Sequence, residues 1–110
     1  MSTKQEIQNR LKTSGVVAVI CTDQPGDLIE VARALTKGGV FFIEITMTVP
    51  KILKIIKQAV DDLTNEVGIG VGVVLDAETI RAAKLAGASY VVSATLRSWS
   101  ATYSDAFVVA

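Results

Sequence analysis

The chain has 110 residues, and half of them are hydrophobic, so it can build the core of one ordinary domain but not of two. Eleven Lys and Arg residues balance eleven Asp and Glu residues, so the chain lacks the basic field that would attract nucleic acid or an anionic membrane. With no histidine and one cysteine, the sequence excludes an internal disulfide, a Ser-His or Cys-His catalytic pair and a histidine metal site.

The sequence also contains no recognisable membrane or export segment. No apolar run approaches the roughly 20 residues that span a bilayer, and the opening stretch MSTKQEIQNRLKTSG is polar, without the apolar core of a signal peptide. We therefore expect a cytoplasmic protein with no membrane partner and no nucleic-acid partner.

The first predicted elements are a helix and a strand. Thr3 and Glu6 have the spacing of a capping box, which predicts a helix over residues 3–13 that ends at Gly15. The run VVAVIC at 16–21 has the length and β-branched composition of a strand that is buried on both faces of a parallel sheet.

A helix, a strand and a second amphipathic helix follow. Leu28, Val31, Ala32 and Leu35 follow helical spacing and predict a helix with one apolar face that stops at Gly38-Gly39, and strand two covers 40–46. Pro50 suits the first turn of the next helix, whose apolar stripe runs over 52–63.

The last regular elements are strand three at 67–75, a helix from the capping residue Asp76 to about Leu85, and strand four at 89–93. Strand centres near 18, 43, 70 and 91 recur about every 25 residues, the size of a strand-helix unit. The sequence therefore predicts one α/β domain with a parallel sheet.

The tail over 97–110 is different in composition, being rich in Ser and Thr. Trp99, Tyr103 and Phe107 are spaced four residues apart, which predicts a helix.

Glu44 is the only charged residue of the stretch FFIEITMTVP, 41–50. Strand alternation gives two faces, one with Phe42, Glu44 and Thr46 and the other with Phe41, Ile43 and Ile45. A carboxylate in this setting either has a raised pKa, which suits a general acid or base near neutral pH, or has a partner. The alternative is a structural role in which Thr46, Thr48 or a backbone donor satisfies it.

The glycine-rich stretch GIGVGVV at 68–74 does not make a convincing nucleotide site. Gly70 and Gly72 lie within a strand pattern, and no third glycine opens a helix at the distance that a dinucleotide fingerprint requires. We interpret these glycines as residues that make space or let a ligand approach the backbone, and we expect no cofactor.

These segments, in their order, resemble the amino-terminal half of the 2-keto-3-deoxy-6-phosphogluconate / 4-hydroxy-2-oxoglutarate (KDPG/KHG) aldolase family. The similarity covers about residues 4–96 and is carried by VVAVI, IEITMTVP, IGVGVVLDAET and AGASYVVS. The resemblance implies a (β/α)8 TIM barrel, usually a trimer. It also implies a class I aldolase, a lyase that cleaves a 2-keto-4-hydroxy acid to pyruvate and an aldehyde through a lysine Schiff base.

The resemblance also implies site residues. Glu44 corresponds to the carboxylate that moves protons at the reacting carbon. The residues that would contact the pyruvate-like substrate are Thr46, Thr48, Gly72, Val73 and Ser93.

Several positions depart from the family pattern. Val73 stands where the family has a threonine whose hydroxyl binds the substrate's carboxylate, and Val71 replaces a smaller alanine. Cys21 and Thr48 occupy positions where many members have arginine, and Ala94 replaces a proline. The family's Schiff-base lysine lies on a later strand, beyond these 110 residues.

The residues of this chain offer no obvious substitute nucleophile. Its seven lysines fall on helices and are expected in solvent, whereas a Schiff-base lysine needs desolvation or a cationic neighbour. Cys21 is expected to be a small buried core residue at a strand end, since no base is available to activate it.

The predicted four strands amount to about half of a barrel, because a closed (β/α)8 barrel takes at least about 200 residues. Open sheet edges and an apolar inner face favour a homo-oligomer, and the resemblance implies a trimer. The alternative fold is a flavodoxin-like sheet with helices on both faces. The alternative functions are a non-catalytic aldolase-like module that acts through oligomerisation, or anion binding where helix N-termini gather.

Overall fold

A computed structural model describes residues 4–63, 67–93 and 107–109 of the chain. No helix in these ranges combines the length and the apolar character needed to cross a bilayer. The helices are α1 (Lys4–Ser14), α2 (Leu28–Lys37), α3 (Ile52–Asp62) and α4 (Ala77–Ala86), with a 3-10 turn at Pro25–Asp27. The strands are β1 (Ala18–Ile20), β2 (Phe42–Thr46), β3 (Gly68–Val74), β4 (Tyr90–Ser93) and β5 (Phe107–Val109).

The strands form one sheet in the order β1-β2-β3-β4-β5, and every neighbouring pair is parallel. This confirms the parallel strand-helix repeat. It contradicts the flavodoxin-like alternative, because a doubly wound sheet reverses its strand order so that helices cover both faces. A sequential order is the arrangement found in a (β/α)8 barrel.

One face of the sheet is covered by α2, α3 and α4. Ile43, Ile45 and Val71 of the strands are fully buried in this core, together with Ala32 and Ile56 of the helices. Burying an aliphatic side chain of this size stabilises the fold by about 1.5–3 kcal/mol. The helix-side core is therefore the main source of stability among the described residues.

The stripe predicted for α2 needs a correction. Val31 was placed on the buried face, but the structure leaves it exposed and buries Ile29 instead. The buried set of α2 is Leu28, Ile29 and Ala32, so the helix is rotated slightly from the predicted stripe.

The opposite face of the sheet, called the inner face below, carries a smaller core. Ile7 of α1 packs with Phe42 and Tyr90, the first residues of β2 and β4, so α1 covers the amino-terminal end of this face. The two rings lie 6.1 Å apart at an angle of 60°. Phe41 also packs here, and its predicted place beside Ile43 is wrong because Phe41 precedes β2, where alternation does not apply.

Local signals explain most helix boundaries. The Asp76 carboxylate accepts a hydrogen bond from the Thr79 backbone N–H over 2.6 Å, which confirms the predicted N-cap of α4. Pro50 precedes α3 rather than opening it, since Lys51 takes a left-handed backbone with φ of 56° before the helix begins at Ile52.

The tail differs from its prediction. Phe107 begins β5, which pairs with β4 through Tyr90 and Phe107, so the predicted helix is wrong there. The free hydrogen-bonding edge of β4 and the β-branched Val108-Val109 favour a strand over the weak four-residue spacing. Trp99 and Tyr103 lie outside the described residues.

The inner face of β3 has no side chains over much of its length, because Gly68, Gly70 and Gly72 alternate along it. A Cβ added at each glycine would collide with a large side chain from a neighbouring strand. The collisions are with Phe42 at Gly68, with Tyr90 at Gly70 and with Glu44 at Gly72. The interpretation of the glycines as space-making residues is confirmed.

Replacing Gly70 with Ala should lower the free energy of unfolding by about 1–3 kcal/mol, because the new methyl would overlap the buried Tyr90 ring. Its Cβ would lie 2.6 Å from Cε1 of that ring and still closer to two other ring atoms. Gly26→Ala is the matched control, since a Cβ there has no neighbour within 4 Å. Urea unfolding followed by circular dichroism measures both, and equal stabilities for the two variants would contradict the packing described for β3.

Candidate active site

Glu44 lies on the inner face in the middle of β2, beyond the end covered by α1. Its side chain is 9% exposed. Burial raises the pKa of the Glu44 carboxyl above its usual value of 4.5, and no other cause contributes. The strand therefore holds a desolvated carboxyl that is suited to taking up and releasing protons closer to neutral pH.

The threonines near Glu44 do not satisfy it. The Thr46 and Thr48 hydroxyl oxygens lie 2.9 Å apart and bond to each other, and the Thr48 hydroxyl also contacts Cys21 Sγ at 3.4 Å. Within the described ranges no hydrogen bond reaches the Glu44 carboxyl, and burial alone accounts for its pKa. The structural alternative, in which Thr46 or Thr48 satisfies Glu44, is therefore not what the structure contains.

Cys21 is exposed, so its predicted place in the core is wrong. It follows the last residue of β1 by one position, and alternation puts it on the face of Val19, which is also exposed. Hydrogen bonds from Thr48 and Thr46 lower the pKa of the Cys21 thiol. Cys21 thus joins the two threonines in a polar group at the carboxyl ends of β1 and β2.

Gly72 lies beneath the carboxyl group of Glu44. A Cβ added at Gly72 would stand 2.9 Å from the carboxyl carbon of Glu44, so only glycine leaves the carboxyl its position. The Met47 backbone N–H donates to the Gly72 carbonyl oxygen over 2.8 Å and holds the segment after Glu44 against β3. Thr46 is paired in register with Gly72, so the structure brings Glu44, Thr46 and Gly72 together.

Val73 and Ser93 are placed differently. The β3-β4 register shifts between Gly72 and Val74, and Val73 is exposed at this irregularity. Ser93 is buried at the end of β4 and is paired with Val74. Because alternate residues point to opposite faces, Ser93 shares the face of Val91, on the helix side, whereas Glu44 is on the inner face.

The lysines whose side chains are described lie on helices or at their ends. Five of them are exposed, while Lys84 is half-buried and interacts with a neighbour, which corrects its expected place in solvent. None lies in a strand. Across the described ranges, no three Asp, Glu or Cys side chains lie close enough together to hold a metal ion.

Tyr90 is a member of the site that the sequence did not single out. It is fully buried, and its register partner Gly70 is also the partner of Glu44, so the backbone positions of the two residues lie at the same level of the sheet. Burial and, to a lesser extent, the Glu44 charge raise the pKa of the Tyr90 hydroxyl. Alternation along SYVVS, combined with the missing side chain at Gly70, was the available signal.

Comparison with known proteins identifies one family. A sequence model of the family described as KDPG and KHG aldolase matches residues 7–103. The 2-dehydro-3-deoxy-phosphogluconate aldolase of Pseudomonas aeruginosa is 34% identical over 87 residues, which are 79% of this chain and 39% of that protein. The chain therefore spans well under half the length of this relative.

Solved structures agree with the sequence comparison. The 2-keto-3-deoxy-6-phosphogluconate aldolase of Zymomonas mobilis with 3-phosphoglycerate superposes with a TM-score of 0.81 at 26% identity, over 96% of this chain and 51% of that one. The enzyme from another strain of the same organism gives a TM-score of 0.73 at 27% identity, over 84% and 45%. The described sheet thus has the fold of about half of such an aldolase barrel.

Replacing Glu44 with Gln should stabilise the protein at neutral pH. Because the folded-state pKa of Glu44 is raised above 4.5, the stability linked to this group is complete below about pH 4.5 and is lost as pH rises through the folded-state pKa. We expect the variant to melt on the order of a few degrees higher than the wild type at pH 7, with no difference at pH 4.

Glu30→Gln is the matched control, since Glu30 is exposed on α2 and its replacement should leave the melting temperature unchanged at both pH values. Melting curves recorded by circular dichroism between pH 4 and 8 measure the effect. A melting difference between Glu44→Gln and the wild type that did not vary with pH would contradict a desolvated carboxyl at position 44.

Proposed function

Because this chain belongs to the KDPG and KHG aldolase family, we propose that it provides the amino-terminal half of an aldolase site in which Glu44 moves protons. The reaction is the cleavage of a 2-keto-4-hydroxy acid, such as 2-keto-3-deoxy-6-phosphogluconate, to pyruvate and an aldehyde. The observation that carries the proposal is the Glu44 carboxyl, which is desolvated, has a raised pKa and is not hydrogen-bonded by the neighbouring threonines.

The proton balance of this cleavage suits one carboxyl. As the bond between C3 and C4 breaks, the C4 hydroxyl loses a proton and becomes the aldehyde oxygen, while C3 gains a proton and becomes the methyl carbon of pyruvate. A single group that takes the first proton and returns it to C3 closes the balance. Its pKa must lie near the working pH, and burial moves the pKa of Glu44 in that direction.

The other half of the chemistry requires a lysine whose imine with the C2 carbonyl accepts the electrons of the broken bond. In this chain the described lysines are on helices rather than strands. We therefore assign the Schiff-base lysine to a segment other than these 110 residues. In the proposal, Glu44 supplies the acid-base function and the carboxyl ends of β2 and β3 supply part of the substrate pocket.

Substrate contacts are proposed for the residues at these strand ends. Thr46 and Thr48 offer hydroxyl groups beside Glu44, and Gly72 lets a ligand approach the backbone. Val73 is exposed and could contact the ligand only through its methyl groups, so carboxylate binding here is weaker than with a hydroxyl. Ser93 lies at the end of β4 with its side chain on the helix side of the sheet, so its proposed substrate contact is made by its backbone groups.

A chimera tests the role of Glu44 in a complete barrel. Residues 4–93 of this chain would replace the matched segment of the Pseudomonas aeruginosa aldolase, and pyruvate release would be followed with a coupled assay. We expect Glu44→Gln to lower kcat about 100- to 10,000-fold in the chimera, because general acid-base catalysis contributes that much. Glu30→Gln should leave kcat unchanged.

Undiminished kcat in the Glu44→Gln chimera would contradict the proposed proton transfer. A folded chimera that remains inactive even when Val73→Thr restores a hydroxyl would instead favour a non-catalytic aldolase-like module. The Val73→Thr change distinguishes a weakened substrate site from a lost one, since a weakened site should regain kcat/KM through a lower KM.

Self-association is the second part of the proposal, and the exposed edge of the sheet supports it. β1 is the end strand and pairs only with β2 among the described strands, and its inner-face residue Val19 is 60% exposed. Val16 and Val17, just before it, are exposed as well. Apolar residues on an unpaired strand edge favour contact with a second chain.

Val19→Lys should weaken this self-association, because a charged side chain on the edge strand opposes pairing. Val31→Lys is the matched control, since Val31 is an exposed valine on α2, away from the sheet edge. Light scattering and sedimentation at micromolar concentration measure the assembly state. A wild-type monomer, or dissociation by Val31→Lys but not by Val19→Lys, would contradict association through β1.

A further inference from the structure

Two polar side chains reach across the glycines of β3 from opposite sides. Glu44 extends from β2 until its carboxyl carbon lies above Gly72, and Tyr90 extends from β4 until Cε1 and Cζ of its ring lie above Gly70. Cζ carries the hydroxyl. Residues two apart on a strand are separated by about 6.6 Å, and Gly70 and Gly72 place no side chain between the hydroxyl and the carboxyl.

The packing around Tyr90 fixes the direction of its hydroxyl. Phe42 contacts the ring from β2, and Ile7 of α1 completes the cluster. Arg10 of α1 is the charged group next to this cluster, and its guanidinium lies 5.3 Å from the centre of the Phe42 ring. The amino-terminal side of Tyr90 is therefore filled, which leaves the inner face beside Glu44 as the direction for the hydroxyl.

The Tyr90 hydroxyl is buried and has no hydrogen-bond partner in the described part of the chain. An unbonded buried hydroxyl is unfavourable, so a polar group within reach is expected to bond it. Burial and the Glu44 charge both raise the pKa of the hydroxyl, so it keeps its proton and is available as a hydrogen-bond donor. The group that acts on it electrostatically is the Glu44 carboxyl.

We propose that Tyr90 is a positioning residue for Glu44: its hydroxyl donates a hydrogen bond to one water molecule, which in turn donates to the Glu44 carboxylate. The bond holds the carboxylate above Gly72, where it faces the carboxyl ends of β2 and β3. This inference deepens the proposed function and rests on the role assigned there to Glu44. The proposed hydrogen bond forms in the folded protein without substrate.

Tyr90→Phe tests the bond through the Glu44 pKa, because a donor to the charged form of an acid lowers its pKa. Removing the hydroxyl should raise the Glu44 pKa by about 1 unit above that of the wild type. The measurement is a carbon-13 NMR titration of the glutamate side-chain carboxyls in the 110-residue chain, with the Glu44 signal assigned from its loss in Glu44→Gln.

Ile7→Val is the matched control, since it loosens the same cluster without touching a hydroxyl and should leave the Glu44 pKa in place. Site-specific 3-fluorotyrosine at position 90 keeps the ring and strengthens the donor, so it should lower the Glu44 pKa. It also provides a readout if Tyr90→Phe does not fold.

An unchanged Glu44 pKa in folded Tyr90→Phe, or in the fluorotyrosine protein, would overturn the proposal. A higher melting temperature of Tyr90→Phe together with that unchanged pKa would identify the hydroxyl as an unsatisfied buried group. Because no turnover is measured, an inactive chimera would not affect this result, and an absent hydrogen bond would leave the role of Glu44 in catalysis untouched.

Discussion

The arrangement of the inner face depends on what β3 lacks, which is any side chain at its three alternate glycines. Phe42, Tyr90 and Glu44 come from the strands on either side and occupy the space above Gly68, Gly70 and Gly72. Since a close-packed interior tolerates little added volume, the position of the acid is set by the strand beside it. Glu44 is buried because β3 makes room for it, and its raised pKa follows from that burial.

The two faces of the sheet have separate tasks. The helix side holds a continuous aliphatic core, and the opposite face holds a small aromatic cluster at one end and polar groups at the other. Because the threonine hydroxyls bond to each other and to Cys21, they leave the carboxyl unneutralised. A stable scaffold on one side thus supports a poorly solvated acid on the other, as in sites where an acid must change protonation state near neutral pH.

Periodicity, capping residues and glycine stops predicted the helices and strands up to residue 93, and the spacing of about 25 residues between strand centres predicted a parallel sheet. The sequential strand order was implied only by the family resemblance. Alternation in FFIEITMTVP placed Glu44 on one face with Phe42 and Thr46. What the sequence could not provide was contact between strands: Tyr90 gains its place from Gly70, twenty residues earlier along the chain. Cys21 was misplaced because it shares the face of Val19, which is exposed at the sheet edge, and Phe41 was misplaced because it precedes β2, where alternation does not apply. The helix predicted for the tail was wrong at Phe107 because pairing with the open edge of β4 outweighs a weak helical spacing of four residues.

The contact between the Tyr90 ring and the bare backbone at Gly70 has a consequence for how this sequence can change. The two positions share one volume, so the energetic effects of substituting them are coupled rather than additive. A larger residue at position 70 fits only beside a smaller residue at position 90. Such substitutions at these two positions are therefore expected to occur together, because enlarging residue 70 alone creates a clash and shortening residue 90 alone leaves a cavity.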